Sequence, residues 1–75
     1  MKNEIYENYA KRMFDGGFFK VIEAAHFLGV SRATVYNLIN EGELCFAKFG
    51  SSTRIPRSAL IDYATKNLKG GWKHG

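Results

Sequence analysis

Apolar positions recur along the chain in four stretches with different periods. In residues 3–14, Ile5, Tyr6, Tyr9, Ala10, Met13 and Phe14 stand in two rows four apart. That is one apolar stripe on a helix, with Asn3 as its cap and acids in the first turn. Asp15-Gly16-Gly17 ends it. Such a helix either covers the core of the domain behind it or offers Tyr6, Tyr9 and Phe14 to a second subunit. A small domain needs the extra core, so the first role is expected.

After an extended Phe18-Phe19, two short helical runs follow. The first, residues 20–28, buries Val21, Ala24, Ala25 and Leu28, with Ile22 at the margin. The second, residues 32–41, buries Val35, Leu38 and Ile39. Between them lies Leu28-Gly29-Val30-Ser31. Ala25 is small enough for a second helix to cross close by. Gly29 adopts the positive φ that stops a helix, and Ser31 caps the next one with its hydroxyl. Val35 and Leu38, three apart, turn back into the angle between the helices. This arrangement is a helix-turn-helix, whose second helix enters the major groove of DNA. Arg32, Ala33, Tyr36, Asn37 and Asn40 are then on its open side, with Ser31 and Thr34 near its start. Gly42 stops it.

Leu44 to Phe49 and Thr53-Arg54-Ile55 are strand-forming runs around Gly50-Ser51-Ser52, which predicts a β-hairpin. Lys48 and Arg54 are expected to flank its tip, where Arg54 would approach the backbone or enter a narrow minor groove. Cys45 reads as a small core residue rather than a reactive thiol. Pro56 suits the first position of a last helix, whose apolar side is Leu60, Ile61, Tyr63, Ala64 and Leu68. Gly70-Gly71 closes it. Residues 72–75 are expected to be disordered without a partner, unless Trp72 packs back or touches a second subunit. The predicted fold is mainly α with a small β-hairpin: a winged helix-turn-helix over residues 18–69, an extra N-terminal helix and linker over 1–17, and a tail over 70–75.

Charge sharpens this picture. The 75 residues carry 11 Lys and Arg against 7 Asp and Glu, a formal charge of +4. Residues 1–18 are balanced by Lys2, Lys11 and Arg12 against Glu4, Glu7 and Asp15, so the surplus lies on the later segment. No acid occurs between Glu23 and Glu41. A solvated helix usually mixes in acids, so this face fits a surface that meets phosphate. Its helix N-terminus adds a positive end.

An enzyme is not expected, for no acid pair, nucleophile-and-base set or phosphate loop stands out. His26 and His74 are far apart, without ligand-spaced partners, so neither a metal nor another cofactor is expected. Glu23 reads as structural or solvated rather than as a general base. One cysteine allows no intramolecular disulfide, and no signal peptide or membrane-length apolar run is present.

Residues 19–64 resemble the short MerR-like winged-helix domains grouped with phage and transposon excisionases. The likeness rests on Glu23-Ala24-Ala25, Leu28-Gly29-Val30-Ser31-Arg32 and Thr34-Val35-Tyr36. It continues in Glu41-Gly42-Glu43-Leu44 and in Lys48-Phe49-Gly50, Arg54-Ile55-Pro56 and Leu60. Three departures are present: Lys20 where a Ser or Thr cap is common, Cys45 where a Pro is common, and Ser51-Ser52-Thr53 where relatives carry more Arg. The resemblance implies a bacterial, cytoplasmic, nucleoid-associated protein that binds double-stranded DNA. The contact residues it implies are Lys20, Ser31, Arg32, Ala33, Thr34, Tyr36, Asn37, Lys48, Ser51, Ser52, Thr53 and Arg54. It further implies a recombination directionality factor that bends attachment-site DNA and helps an integrase excise a mobile element.

The alternatives are a small transcription regulator of a phage or mobile element and, further off, a protein-interaction adapter. The excisionase type is preferred because 75 residues leave no room for the ligand or dimerisation domain that regulators add. A monomer free in solution is expected, with copies associating side by side on DNA. No membrane and no small-molecule substrate are expected partners.

Overall fold

In a computed structural model, described here for residues 15–70, the order is β1 (Phe18–Lys20), α1 (Val21–Leu28), α2 (Arg32–Asn40), β2 (Ala47–Phe49), β3 (Ser52–Pro56) and α3 (Arg57–Lys66). The expected N-terminal helix over residues 3–14 and the tail over 72–75 lie outside the described residues.

Each break between helices is made by a local device. Past the end of α1, Gly29 sits at φ 72°. Its N–H reaches the His26 carbonyl at 3.2 Å, and the Val30 N–H reaches Ala25 at 2.9 Å. This pair of bonds is a Schellman stop, which satisfies carbonyls the helix end leaves open. The same pair recurs after α2, where Gly42 (φ 77°) bonds Ile39 and Glu43 bonds Leu38. The Leu44 N–H also reaches the Leu38 carbonyl, which turns Leu44 inward into the core.

The three strands form one antiparallel sheet in the order β1-β3-β2. Phe18-Phe19-Lys20 is thus more than an extended lead into α1. It pairs with β3 in the register Phe18 to Pro56, Phe19 to Ile55 and Lys20 to Arg54. On the other edge Ala47, Lys48 and Phe49 pair with Arg54, Thr53 and Ser52. A two-residue turn, Gly50-Ser51, joins β2 to β3, with Gly50 at φ 65°. A positive φ at the first turn position only is the II′ pattern, which matches the twist of paired strands.

The core lies where α1 meets α2, α3 and the sheet. Val35, Ile55 and Leu60 are fully buried, with Val21, Ala24, Ala25, Leu38, Leu44 and Ala59 around them. Phe19, Leu28, Ile39 and Tyr63 pack at the edge. Ile22, by contrast, is 56% exposed, because it stands outside the helix stripe that Val21, Ala24 and Ala25 bury.

Four expectations are corrected here. Cys45 is exposed rather than in the core, because Leu44 makes the inward turn and the strand starts only at Ala47. Pro56 ends β3 and precedes α3 instead of occupying its first turn, and Arg57 begins the helix. The Arg57 N–H is bonded to the Gly17 carbonyl at 3.0 Å, tying the chain before β1 to the start of α3. Finally, Ile61 and Leu68 are exposed, while Ala59 joins the core. Ile61 is one residue, about 100°, beyond Leu60 on the helix, and Leu68 comes after α3 has ended at Lys66.

Gly29 has open space where a Cβ would stand, so a side chain there meets only the cost of the left-handed conformation. Gly29→Ala is expected to lower stability by about 1–2 kcal/mol, read from urea unfolding. Gly29→Asn should lose less, because Asn tolerates that region better.

Candidate nucleic-acid interface

The exposed side of α2 is assembled by its cap and its period. Ser31 has extended backbone, and its Oγ accepts the Thr34 N–H at 3.1 Å. The Ser31 and Thr34 hydroxyls also lie 3.0 Å apart, within hydrogen-bond reach. Both side chains are therefore engaged in starting the helix. Their expected contact with DNA shares the same atoms.

From that start, burial of Val35 and Leu38 fixes the helix rotation. Arg32, Ala33, Tyr36, Asn37 and Asn40 then occupy an arc of about 140° at 3.6 residues per turn. All five are exposed. Among the described residues, the side chains of Arg32, Tyr36, Asn37 and Asn40 form no hydrogen bond or ion pair. This face carries donors and acceptors that the fold does not use. The first turn holds no acid, so its positive end is unopposed by its own side chains.

Lys20 precedes α1 as its N-cap, with extended backbone. An ammonium group has no acceptor, so it cannot cap the helix amides with its own side chain. Glu23 supplies the other half of a capping box, its Oε1 accepting the Lys20 N–H at 2.8 Å. Glu23 is thereby structural, one of the two roles expected of it.

The hairpin separates the residues that were expected to act together. Arg54 is not beside the tip: it sits in the middle of the central strand, between Lys20 and Ala47. Lys48 faces the opposite side from Arg54, because side chains alternate along a strand and Lys48 is opposite Thr53. Its Nζ reaches the Thr53 Oγ1 at 3.4 Å. Only Ser51 is at the turn, exposed, while Ser52 and Thr53 are half-buried in β3. The Phe18 and Phe49 rings meet edge to face, 5.2 Å between centroids, across the outer side of the sheet.

The structure thus brings Arg32, Ala33, Tyr36 and Asn37 onto one face. It pairs Lys20 with Arg54 on the sheet and leaves Lys48 and Ser51 nearer the hairpin turn. The Lys20–Arg54 pairing was not foreseen. Its signal was the strand-forming Phe-Phe before Lys20, too short to show an alternation.

A helix, a tight glycine turn, a second helix with an open polar face, and a hairpin behind them define a helix-turn-helix domain with a wing. The helix-turn-helix domain family model matches residues 18–68, and the chain belongs to that family. It is also similar to a protein of Saccharopolyspora erythraea named "Probable excisionase", 39% identical over 57 residues. That alignment covers 76% of this chain, which spans 58% of the relative's length. No solved structure matches the chain. Among the described residues, no helix is long and apolar enough to cross a membrane.

The cap and the open face can be separated by stability. Ser31→Ala is expected to cost about 1 kcal/mol of folding free energy through the lost Thr34 N–H bond. Arg32→Ala, at an exposed position without internal partners, should stay within about 0.5 kcal/mol of the parent. Thermal and denaturant unfolding of the two variants measures both.

Proposed function

We propose that this chain is an excisionase-type protein that binds double-stranded DNA by sequence. In this reading α2 lies in the major groove, and the turn of the β2–β3 hairpin lies along the neighbouring backbone or minor groove. The observation that carries it is the open face of α2: Arg32, Tyr36 and Asn37, exposed, acid-free and unused by the fold. Arg can bond guanine in bidentate fashion and Asn adenine, each good pair giving about 1–3 kcal/mol of discrimination. The excisionase assignment is supported by the relative of that name, and the wing supports the MerR-like resemblance.

The finer biology follows from the same reading. A single module of this size buries only about 600–1,000 Å² of protein surface on DNA. Several copies binding side by side would offset the roughly 1–6 kcal/mol that bending 20–30 base pairs costs. The bent complex would help an integrase excise a mobile element, in the bacterial cytoplasm.

Selection from a random duplex pool would supply the target sequence. Asn37→Ala is expected to lose about 1–3 kcal/mol on that target and much less on a scrambled duplex, in fluorescence anisotropy titrations. Equal losses on both would remove Asn37 from sequence reading. A wild-type protein that shows no salt-dependent binding to any duplex would overturn the proposal itself.

A further inference from the structure

The β1–β3 register sets Lys20 directly opposite Arg54. Ile55 and its partner Phe19 face the core, so by alternation Lys20 and Arg54 share the outer side of the sheet. Directly opposed residues in an antiparallel pair hold their Cβ atoms about 4.5–5.5 Å apart, and like charges there repel. Neither cation forms an ion pair among the described residues. The nearest acid in sequence, Glu23, spends a carboxylate oxygen on the Lys20 main-chain N–H.

The two charged heads are also placed differently. Arg54 is half-buried, and one guanidinium nitrogen donates to the Thr53 carbonyl at 2.9 Å, which fixes the group on the strand. Lys20 is exposed and stands at the positive end of α1. A threonine or glutamate at either position would relieve the repulsion at no cost to the core. An anion held between the two heads removes the same repulsion and gains two charge-assisted hydrogen bonds.

We propose that Lys20 and Arg54 form one phosphate clamp on the outer face of the sheet, gripping a single phosphodiester of bound duplex. This rests on the DNA-binding reading and adds to it a contact made by the sheet face, away from the open side of α2 and the hairpin turn. Arg54 supplies the fixed, directional half of the clamp and Lys20 the adjustable half.

The test compares wild type with Lys20→Gln, Arg54→Gln and the double variant in duplex titrations across a salt series. Either cation alone still neutralises the shared phosphate, so each single variant is expected to weaken binding with little change in the slope of log affinity against log salt. The double variant should flatten that slope by about 0.9, the worth of one phosphate contact. A flattening of that size in each single variant and of twice that size in the double would put the cations on separate phosphates, and an unchanged slope in the double would remove both; either result overturns the clamp.

A second measurement needs no DNA. At constant ionic strength, replacing chloride by inorganic phosphate should raise the melting temperature of the wild type more than that of either single variant. An equal rise in all three would overturn the clamp. A phosphate response confined to the wild type, in a protein that binds no duplex, would overturn the duplex as its occupant and the DNA reading with it.

Discussion

Two adjacent alanines, Ala24 and Ala25, set the geometry on which the other elements depend. Both are buried in α1, the helix that touches α2, α3, β1 and β3. A larger side chain at either place would push α2 or the sheet outward, and overpacking of a tight core costs about 1–3 kcal/mol. Because the alanines add almost no bulk, Val35, Ile55 and Leu60 reach full burial around a helix of only eight residues. So short a helix is marginal alone. Its order comes from that packing, from the Gly29 stop and from the Lys20–Glu23 bond at its start.

The functional face follows from the same packing by elimination. Once Val35 and Leu38 are committed to the angle between α1 and α2, the helical period leaves Arg32, Tyr36 and Asn37 no way to turn inward. The cap at Ser31 then fixes where along its axis α2 begins. The face is thus held by residues that need not touch a ligand, and its own polar groups are free for one. Sequence could change on that face at little cost to the fold.

Much of this was legible because it is local. Gly29, Ser31 and Gly42 act on chain within five residues of themselves, and their roles are those their identities implied. Val35 and Leu38 were readable from a helical period that one buried side imposes. What escaped was long-range or one residue wide. Pairing of β1 with β3 depends on segments far apart in the chain, and three residues carry no measurable alternation. Without that pairing, Arg54 read as a residue of the hairpin tip instead of the centre of a sheet. Cys45 was misplaced because burial at Leu44 comes from a backbone bond to Leu38, which no side-chain pattern announces.

The sheet shows why that missing register matters for chemistry as well as for shape. Moving β3 by one residue would exchange its faces, sending Arg54 toward the core and Ile55 to solvent. Burial of Ile55 between α1 and α3 therefore fixes the side on which Arg54 stands. The same burial, acting through Phe19 on β1, fixes Lys20 beside it. Two cations that repel are held together by apolar residues on the opposite face, in a register that core packing leaves no freedom to change. Their repulsion is small beside the cost of exposing Ile55, about 1.5–3 kcal/mol for a side chain of that kind. The fold can therefore sustain two cations side by side on the outer face of its sheet without an ion-pair partner among the described residues.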